Sequence, residues 1–165
     1  MPEPETILLR ATSADFDLAR RAVGEINLPT SHHPGPLDDD ALTVFLADPR
    51  LYLLLAVREG KPVGSLYGYA LQSPHRREAQ FLLYGIDVRP ECSGQGIGTA
   101  LVAGFIEEAR RAGACEVWVL TAETNAAAMR MYTRCGMKRA GAADVMLTLE
   151  LGGRAGPEAR EPSTG

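Results

Sequence analysis

The stretch from Val88 to Leu101 constrains this chain more than any other part of it. A mostly apolar run, Ala79 to Val88, stops at Arg89-Pro90, and Ser93, Gly94, Gln95, Gly96, Ile97 and Gly98 follow. A helix-periodic segment then runs from Gly98 to Ala112, with Leu101, Phe105, Ala109 and Ala112 on one stripe. The order is strand, glycine-rich turn, helix. Glycines let a backbone approach a ligand closely with its N–H groups aimed outward. A helix start adds unpaired donors and the positive end of the helix dipole. Together these suit a phosphate or pyrophosphate. A P-loop needs Gly-Lys-Ser/Thr at the helix start, and Gly98-Thr99 brings no Lys. A dinucleotide fingerprint G-x-G-x-x-G is not met either, because the third position after Gly94 and Gly96 falls on Thr99. A glycine-rich connector that binds nothing is the plain alternative.

The flanking sequence supplies the rest of a domain. Thr6 to Arg10 reads as a first strand. Ser13 is placed to cap a helix to about Ile26, with Asp15 and Asp17 in its first turn. Leu28 to Leu37 is rich in proline and holds His32 and His33, so it reads as a loop. Asp38-Asp39-Asp40 opens a second helix ending near Ala47, bounded by Asp48-Pro49. Leu51 to Val57 is a continuous apolar run, expected to be buried on both faces. Glu59-Gly60 is a hairpin turn into Pro62 to Leu71. Glu116 to Leu120 is a short strand, and Asn125 to Cys135 a helix ended by Gly136. Met137 to Ala140 and Asp144 to Leu151 read as the last strands. The composition after Leu151 turns to Gly, Pro, Arg and Glu, so residues 152–165 are expected to be a disordered tail after one domain at 1–151. The length of 165 residues fits a single domain.

Composition narrows the class. The chain carries 17 Lys and Arg against 21 Asp and Glu, a formal charge of −4, which argues against a nucleic-acid partner. The same charge suits a cationic small molecule, or merely keeps the protein soluble. No apolar run approaches the ~18 residues of a membrane span. The acidic start, Met1 to Glu5, lacks a signal-peptide pattern, so the expected compartment is the cytoplasm. Cys92, Cys115 and Cys135 form no CxxC pair, so neither a disulfide framework nor a metal site is expected.

A second motif adds to the glycine turn. Asn125, Ala128, Tyr132 and Gly136-Met137 resemble the pattern Asn-x-x-Ala-x-x-x-Tyr-x-x-x-Gly-Phe of the GNAT N-acetyltransferases, and the turn resembles their acetyl-CoA signature, Arg/Gln-x-x-Gly-x-Gly/Ala. The spacing of 36 residues from Gly96 to Tyr132 matches that family as well. A Tyr on an amphipathic helix is otherwise an ordinary half-buried aromatic. The resemblance covers about Ala11 to Leu151. It implies an α/β (α+β) fold: a mixed, mostly antiparallel sheet of six to seven strands, splayed between strands 4 and 5 and flanked by about four helices. It also implies acetyl-CoA as cofactor. The backbone of Ile86 and Val88 would pair with the pantetheine arm, and Ser93, Gly94, Gln95, Gly96, Gly98 and Thr99 would hold the pyrophosphate. An N–H near Ile86 would polarise the thioester carbonyl, with a bulge at Gly85 aiming it. Tyr132 would protonate the leaving thiolate, and Asn125 would lie near the cofactor arm. The family's first Arg/Gln is Ser93 here, so the resemblance leaves Arg89 to supply the charge.

For the acceptor, Asp38 through Leu151 resembles the aminoglycoside 3-N-acetyltransferases of the gentamicin-modifying type. The shared features include the Asp-rich helix, Tyr84 on its strand, Ala122-Glu123 and Asp144-Val145-Met146. This resemblance implies a polycationic amine held by Asp38, Asp39, Asp40, Tyr84, Glu123 and Asp144, and a homodimer. That subfamily has an Asp directly after the tyrosine. Gly85 stands there in this chain, and Asp87, on the same strand face, is the candidate to relay the amine's proton. Helix capping and a solvated face are the plain readings of Asp38 to Asp40. The competing functional classes are a peptide or lysine N-acetyltransferase and a non-catalytic acyl-CoA-binding regulator.

Overall fold

A computed structural model of the chain describes residues 5–26 and 37–141. The elements in order are β1 (Ile7–Ala11), α1 (Phe16–Ile26), α2 (Asp39–Ala47), β2 (Leu51–Arg58), β3 (Lys61–Leu71), β4 (Gln80–Val88), α3 (Ile97–Arg111), β5 (Glu116–Val119) and α4 (Ala126–Arg134). The strands form one sheet in the order β1-β2-β3-β4-β5. The first four pair antiparallel, and β5 pairs parallel to β4. Among the described residues no helix is long and apolar enough to cross a membrane.

Strand alternation divides the core between the two faces of this sheet. On β2, Tyr52, Leu54 and Ala56 point to one side and join Leu66, Phe81, Leu83, Leu101, Val102, Phe105 and Tyr132. Leu53, Leu55 and Val57 point to the other and join Ala19, Ala22, Ile26 and Leu42. The apolar run in β2 is therefore buried on both faces, as its composition predicts. Burying each Leu, Val or Phe contributes ~1.5–3 kcal/mol. Phe105, on α3, is fully buried and lies edge-on to Tyr52, with centroids 6.2 Å apart. It reaches the sheet because Gly68 has no side chain: a Cβ there would stand 2.5 Å from the ring tip.

The local signals hold with three corrections. Glu59 and Gly60 both have positive φ, 48° and 73°, as a two-residue hairpin turn requires. Asp38 caps α2, accepting from the N–H groups of Asp40 and Ala41. The cap expected at Ser13 lies one residue earlier. Thr12 accepts from Ala14 N, and the Asp15 carboxylate returns to Thr12 N at 2.9 Å, closing a capping box around a 3-10 turn before α1. The sheet has five strands among the described residues rather than six to seven. Residues 137–140 are not a strand: Met137 N donates to Tyr132 O and closes the end of α4, and no described strand offers them a ladder. The strand expected at 144–151, the tail at 152–165 and most of the loop at 28–37 lie outside the described residues.

Candidate functional site

β4 leaves its neighbour partway along its length. The β4–β5 ladder runs from Gln80↔Glu116 to Leu83↔Val119 and ends there, whereas β4 continues to Val88. On its other edge β4 stays paired with β3, with a register shift: Tyr67 pairs with Gly85 and Gly68 with Leu83, so Tyr84 is the extra residue of a bulge. Among the described residues the sheet therefore opens on one side of residues 84–88, next to a bend. Ile86 and Val88 turn their side chains toward α3, packed on its cluster.

The glycine turn stands at the end of this opening. Gly94 and Gly96 adopt φ of 78° and 80°, and a Cβ on either would meet nothing within 4 Å. These glycines answer a backbone need and leave open space above the turn. The first bond of the α3 ladder is Ala100 N to Gly96 O, so the N–H groups of Ile97, Gly98 and Thr99 precede it. No acidic residue sits in this first turn. Open space, free amides and a positive dipole end fit the diphosphate of a nucleotide cofactor. Gly98 serves a different need: a Cβ there would lie 2.8 Å from Met131 Sδ, so its size lets α3 and α4 meet.

Ser93 and Gln95 are exposed on the turn. Arg89 is not free to replace the missing charge. Its Nε donates to Pro62 O at 2.8 Å, and its guanidinium pairs with Glu25 and lies 3.9 Å from Glu91. The cation that reaches the turn is Arg58, at the end of β2, which donates to Gln95 Oε1 and to Thr6 Oγ1. Sequence reasoning missed it because Arg58 and Gln95 are 37 residues apart and no local pattern links them.

Tyr132 is 7% exposed and belongs to the α3-side core. Burial pushes its phenol above the ordinary value of 10.0, so it holds its proton at neutral pH. Asn125 caps α4, its Oδ1 accepting from Ala128 N at 3.1 Å. Cys135 Sγ lies 3.7 Å from Thr99 O and ties α4 to the start of α3. Tyr132 and Asn125 are thus carried by the helix that packs on the glycine turn.

The carboxylates are more scattered. Asp38 is a helix cap, Asp39 forms an ion pair with Arg20 at 2.8 Å, and Glu123 pairs with Arg139. Asp40 is exposed on the first turn of α2. Asp144 lies outside the described residues. Asp87 is half-buried on β4, opposite Ser65 in the ladder, and its charge helps to push the Tyr67 phenol upward. Tyr84 is 52% exposed and contacts Tyr67 and Tyr69, with centroids 5.4 and 5.5 Å away. Tyr67 and Tyr69 were not among the candidates, although tyrosines two apart on one strand signal a shared face.

Residues 21–137 of the 165 match the profile of the acetyltransferase (GNAT) family. The chain is 34% identical over 87 residues to human N-acetyltransferase 8B, covering 53% of this chain and 38% of that protein. It is 36% identical over 95 residues to the mycothiol acetyltransferase of Kocuria rhizophila, covering 56% and 31%. It therefore spans about a third of the length of these curated relatives. Among solved structures, an aminoglycoside acetyltransferase from an uncultured soil metagenomic sample, in complex with trehalose, superposes with a TM-score of 0.73 at 21% identity, covering 88% of this chain and 97% of that one. A transcriptional regulator from Bacillus halodurans superposes with a TM-score of 0.70, also at 21% identity, covering 87% and 100%. At such identities the likeness is one of fold. With the profile spanning most of its length, the chain belongs to the GNAT acetyltransferase family.

Proposed function

We propose that this protein transfers an acetyl group from acetyl-CoA to an amine of a small molecule. The observation that carries the reading is the opening of β4 from β5 beside a glycine turn with empty space above it. The bound cofactor supplies an activated acetyl thioester. The amides of the turn and of α3's first residues hold its diphosphate, with Arg58 adding charge close by. The free edge of β4 at Ile86 and Val88 receives the extended arm as an added strand. The Ile86 N–H, next to the Tyr84 bulge, polarises the acetyl carbonyl. The amine nitrogen bonds to the acetyl carbon as the carbon–sulfur bond breaks. Asp87 relays the proton the amine gives up, and Tyr132 gives a proton to the leaving sulfur. The raised Tyr132 phenol supports that role, because it stays protonated where the reaction runs.

The resemblance of the acceptor side makes aminoglycosides one amine class to test. That reading has Asp40 exposed in its favour, but it requires Asp39 and Glu123 to give up Arg20 and Arg139. The test is thiol release from acetyl-CoA, followed with a thiol-trapping dye, for simple amines, aminoglycosides and peptides. Release that depends on a small-molecule amine is the expected result. Release only with peptides would move the acceptor to a protein, and cofactor binding without release from any amine would make the chain an acyl-CoA sensor.

A further inference from the structure

Two arginines reach the region of the glycine turn, in opposite electrical states. Arg89, just before the turn, is committed to the fold: its Nε donates to Pro62 O at 2.8 Å, and its guanidinium pairs with Glu25 of α1 and stands 3.9 Å from Glu91. Arg58, the last residue of β2, is also held, but by neutral groups. Its Nε donates to Thr6 Oγ1 at 2.6 Å, and one terminal nitrogen donates to Gln95 Oε1. Among the described residues it enters no ion pair, not even with the nearby acids of the chain, Glu5 and Glu59. A guanidinium carries five N–H donors. Arg58 therefore keeps its whole positive charge, and donors to spare, on a side chain whose direction is already fixed.

The other end of that contact is in the turn itself. Gln95 lies between Gly94 and Gly96, the two positive-φ glycines on which a Cβ would meet nothing within 4 Å. Its Nε2 donates to Glu91 O at 3.2 Å, in the 3-10 turn Pro90–Cys92. One amide thus does two things: its nitrogen ties Gln95 to the entry of the turn, and its oxygen holds Arg58 beside the open space. Lys61, the ladder partner of Arg58, is exposed and also enters no ion pair among the described residues, so the end of the β2–β3 hairpin adds to the positive field there. Ser93, by contrast, is exposed and brings no charge.

We propose that Arg58, aimed by Gln95 and Thr6, binds a phosphate of the acyl-CoA cofactor directly and supplies the charge that Ser93 lacks and Arg89 has already given to Glu25. The inference rests on the acetyltransferase reading above and assigns the contact that makes its cofactor site selective for the nucleotide half of the molecule. The cofactor carries phosphate at its diphosphate and at its ribose 3′-position. Both are anions that a guanidinium holds through charge-assisted N–H bonds. Because Gln95 and Thr6 hold the side chain before the cofactor arrives, little freedom is lost when it binds.

The test measures binding in the full chain. Coenzyme A and dephospho-coenzyme A, which lacks the 3′-phosphate, are titrated by calorimetry into the wild type, Arg58→Gln, Arg58→Lys and Gln95→Ala at low and high salt. Arg58→Gln should weaken coenzyme A by about tenfold or more. Its binding should also depend less on salt than the wild type's, because one charge fewer is there to be screened. Arg58→Lys should recover part of the affinity and all of the salt dependence. Gln95→Ala keeps the charge and frees its direction, so it should lose about threefold and keep the wild-type salt dependence. A loss in Arg58→Gln shared by dephospho-coenzyme A supports the proposal with the diphosphate as the partner, and a loss confined to coenzyme A supports it with the 3′-phosphate. Wild-type affinity for both ligands in Arg58→Gln overturns the proposal and leaves acetyl transfer standing. So does a loss of affinity with unchanged salt dependence in both Arg58→Gln and Arg58→Lys, which would make Arg58 only a brace for the turn. Absence of coenzyme A binding by the wild type overturns the acetyltransferase reading and the proposal with it.

Discussion

The two faces of the sheet do different work. The face under α3 and α4 is closed: Phe81, Phe105, Leu101 and Val102 are fully buried, and Tyr132 nearly so. In the proposed reading its contacts with a ligand come from backbone, at the glycine turn and along the edge of β4 beyond Leu83. The face under α1 and α2 ends in side chains that water can reach, Tyr84 foremost. A backbone site is indifferent to most substitutions around it, provided the glycines and the packing beneath them remain. A side-chain site changes character with every substitution. The closed face therefore suits a cofactor that is always the same, and the open face suits an acceptor that differs from one relative to the next.

Four measurements test that division, the largest expected effect first. Gly96→Asp should abolish acetyl-CoA binding in calorimetry while the helical circular dichroism persists. It puts a carboxylate where the proposed reading seats the diphosphate, on a residue whose φ is 80°. Unchanged affinity would remove the diphosphate from this turn. Phe105→Ala should cost about 3–5 kcal/mol in denaturant unfolding. Tyr84→Leu on the open face should stay within about 0.5 kcal/mol. Equal costs would erase the contrast between the faces.

Tyr132→Phe keeps the ring in the core and removes only the hydroxyl. Turnover should fall roughly 10²-fold or more, with cofactor affinity little altered. The same variant sharpens the pH behaviour. A phenol raised by burial contributes stability that is fully present below its unfolded value of 10.0 and is lost as pH rises through the higher folded value. The wild type should thus lose stability above pH 10.0, and Tyr132→Phe should lose less. The residual loss would come from Tyr67 and Tyr69, whose phenols are also raised by burial. The smallest effect belongs to the acidic positions. Asp39→Asn and Glu123→Gln break exposed ion pairs and should leave stability nearly unchanged, without altering amine kinetics. A raised KM for aminoglycosides in both variants would restore a carboxylate groove to the open face.

The closed face was far more legible in the sequence than the open one. Glycine 94 to 98 before a periodic helix, and Asn125 to Gly136 after it, are local patterns whose physics is local, and the helices fall within a residue or two of their expected bounds. The ends of β4 and β5 were legible too, yet their separation after Leu83 and Val119 depends on pairing and so follows only from the resemblance. The open face is assembled from α1, α2, β3 and β4. Arg20 taking Asp39 is a contact across 19 residues, which no window reveals, and Phe45 behind the tyrosines was hidden for the same reason. Off that face, Arg139 taking Glu123 across 16 residues and Arg58 at the glycine turn were equally out of reach.

Gly68 carries a consequence for how this chain tolerates change. It sits on β3, away from the turn, and touches no proposed ligand, yet an added methyl would stand 2.5 Å from both the Phe105 ring and Leu82 O. To admit it, β4 would have to shift and α3 to rise from the sheet, and the helix would carry its first amides with it. Remoteness from the cofactor is thus no measure of safety for a residue under α3. In a library of random variants, alanine at 68 should vanish alongside substitutions in the turn itself, while the exposed neighbours of the turn drift freely.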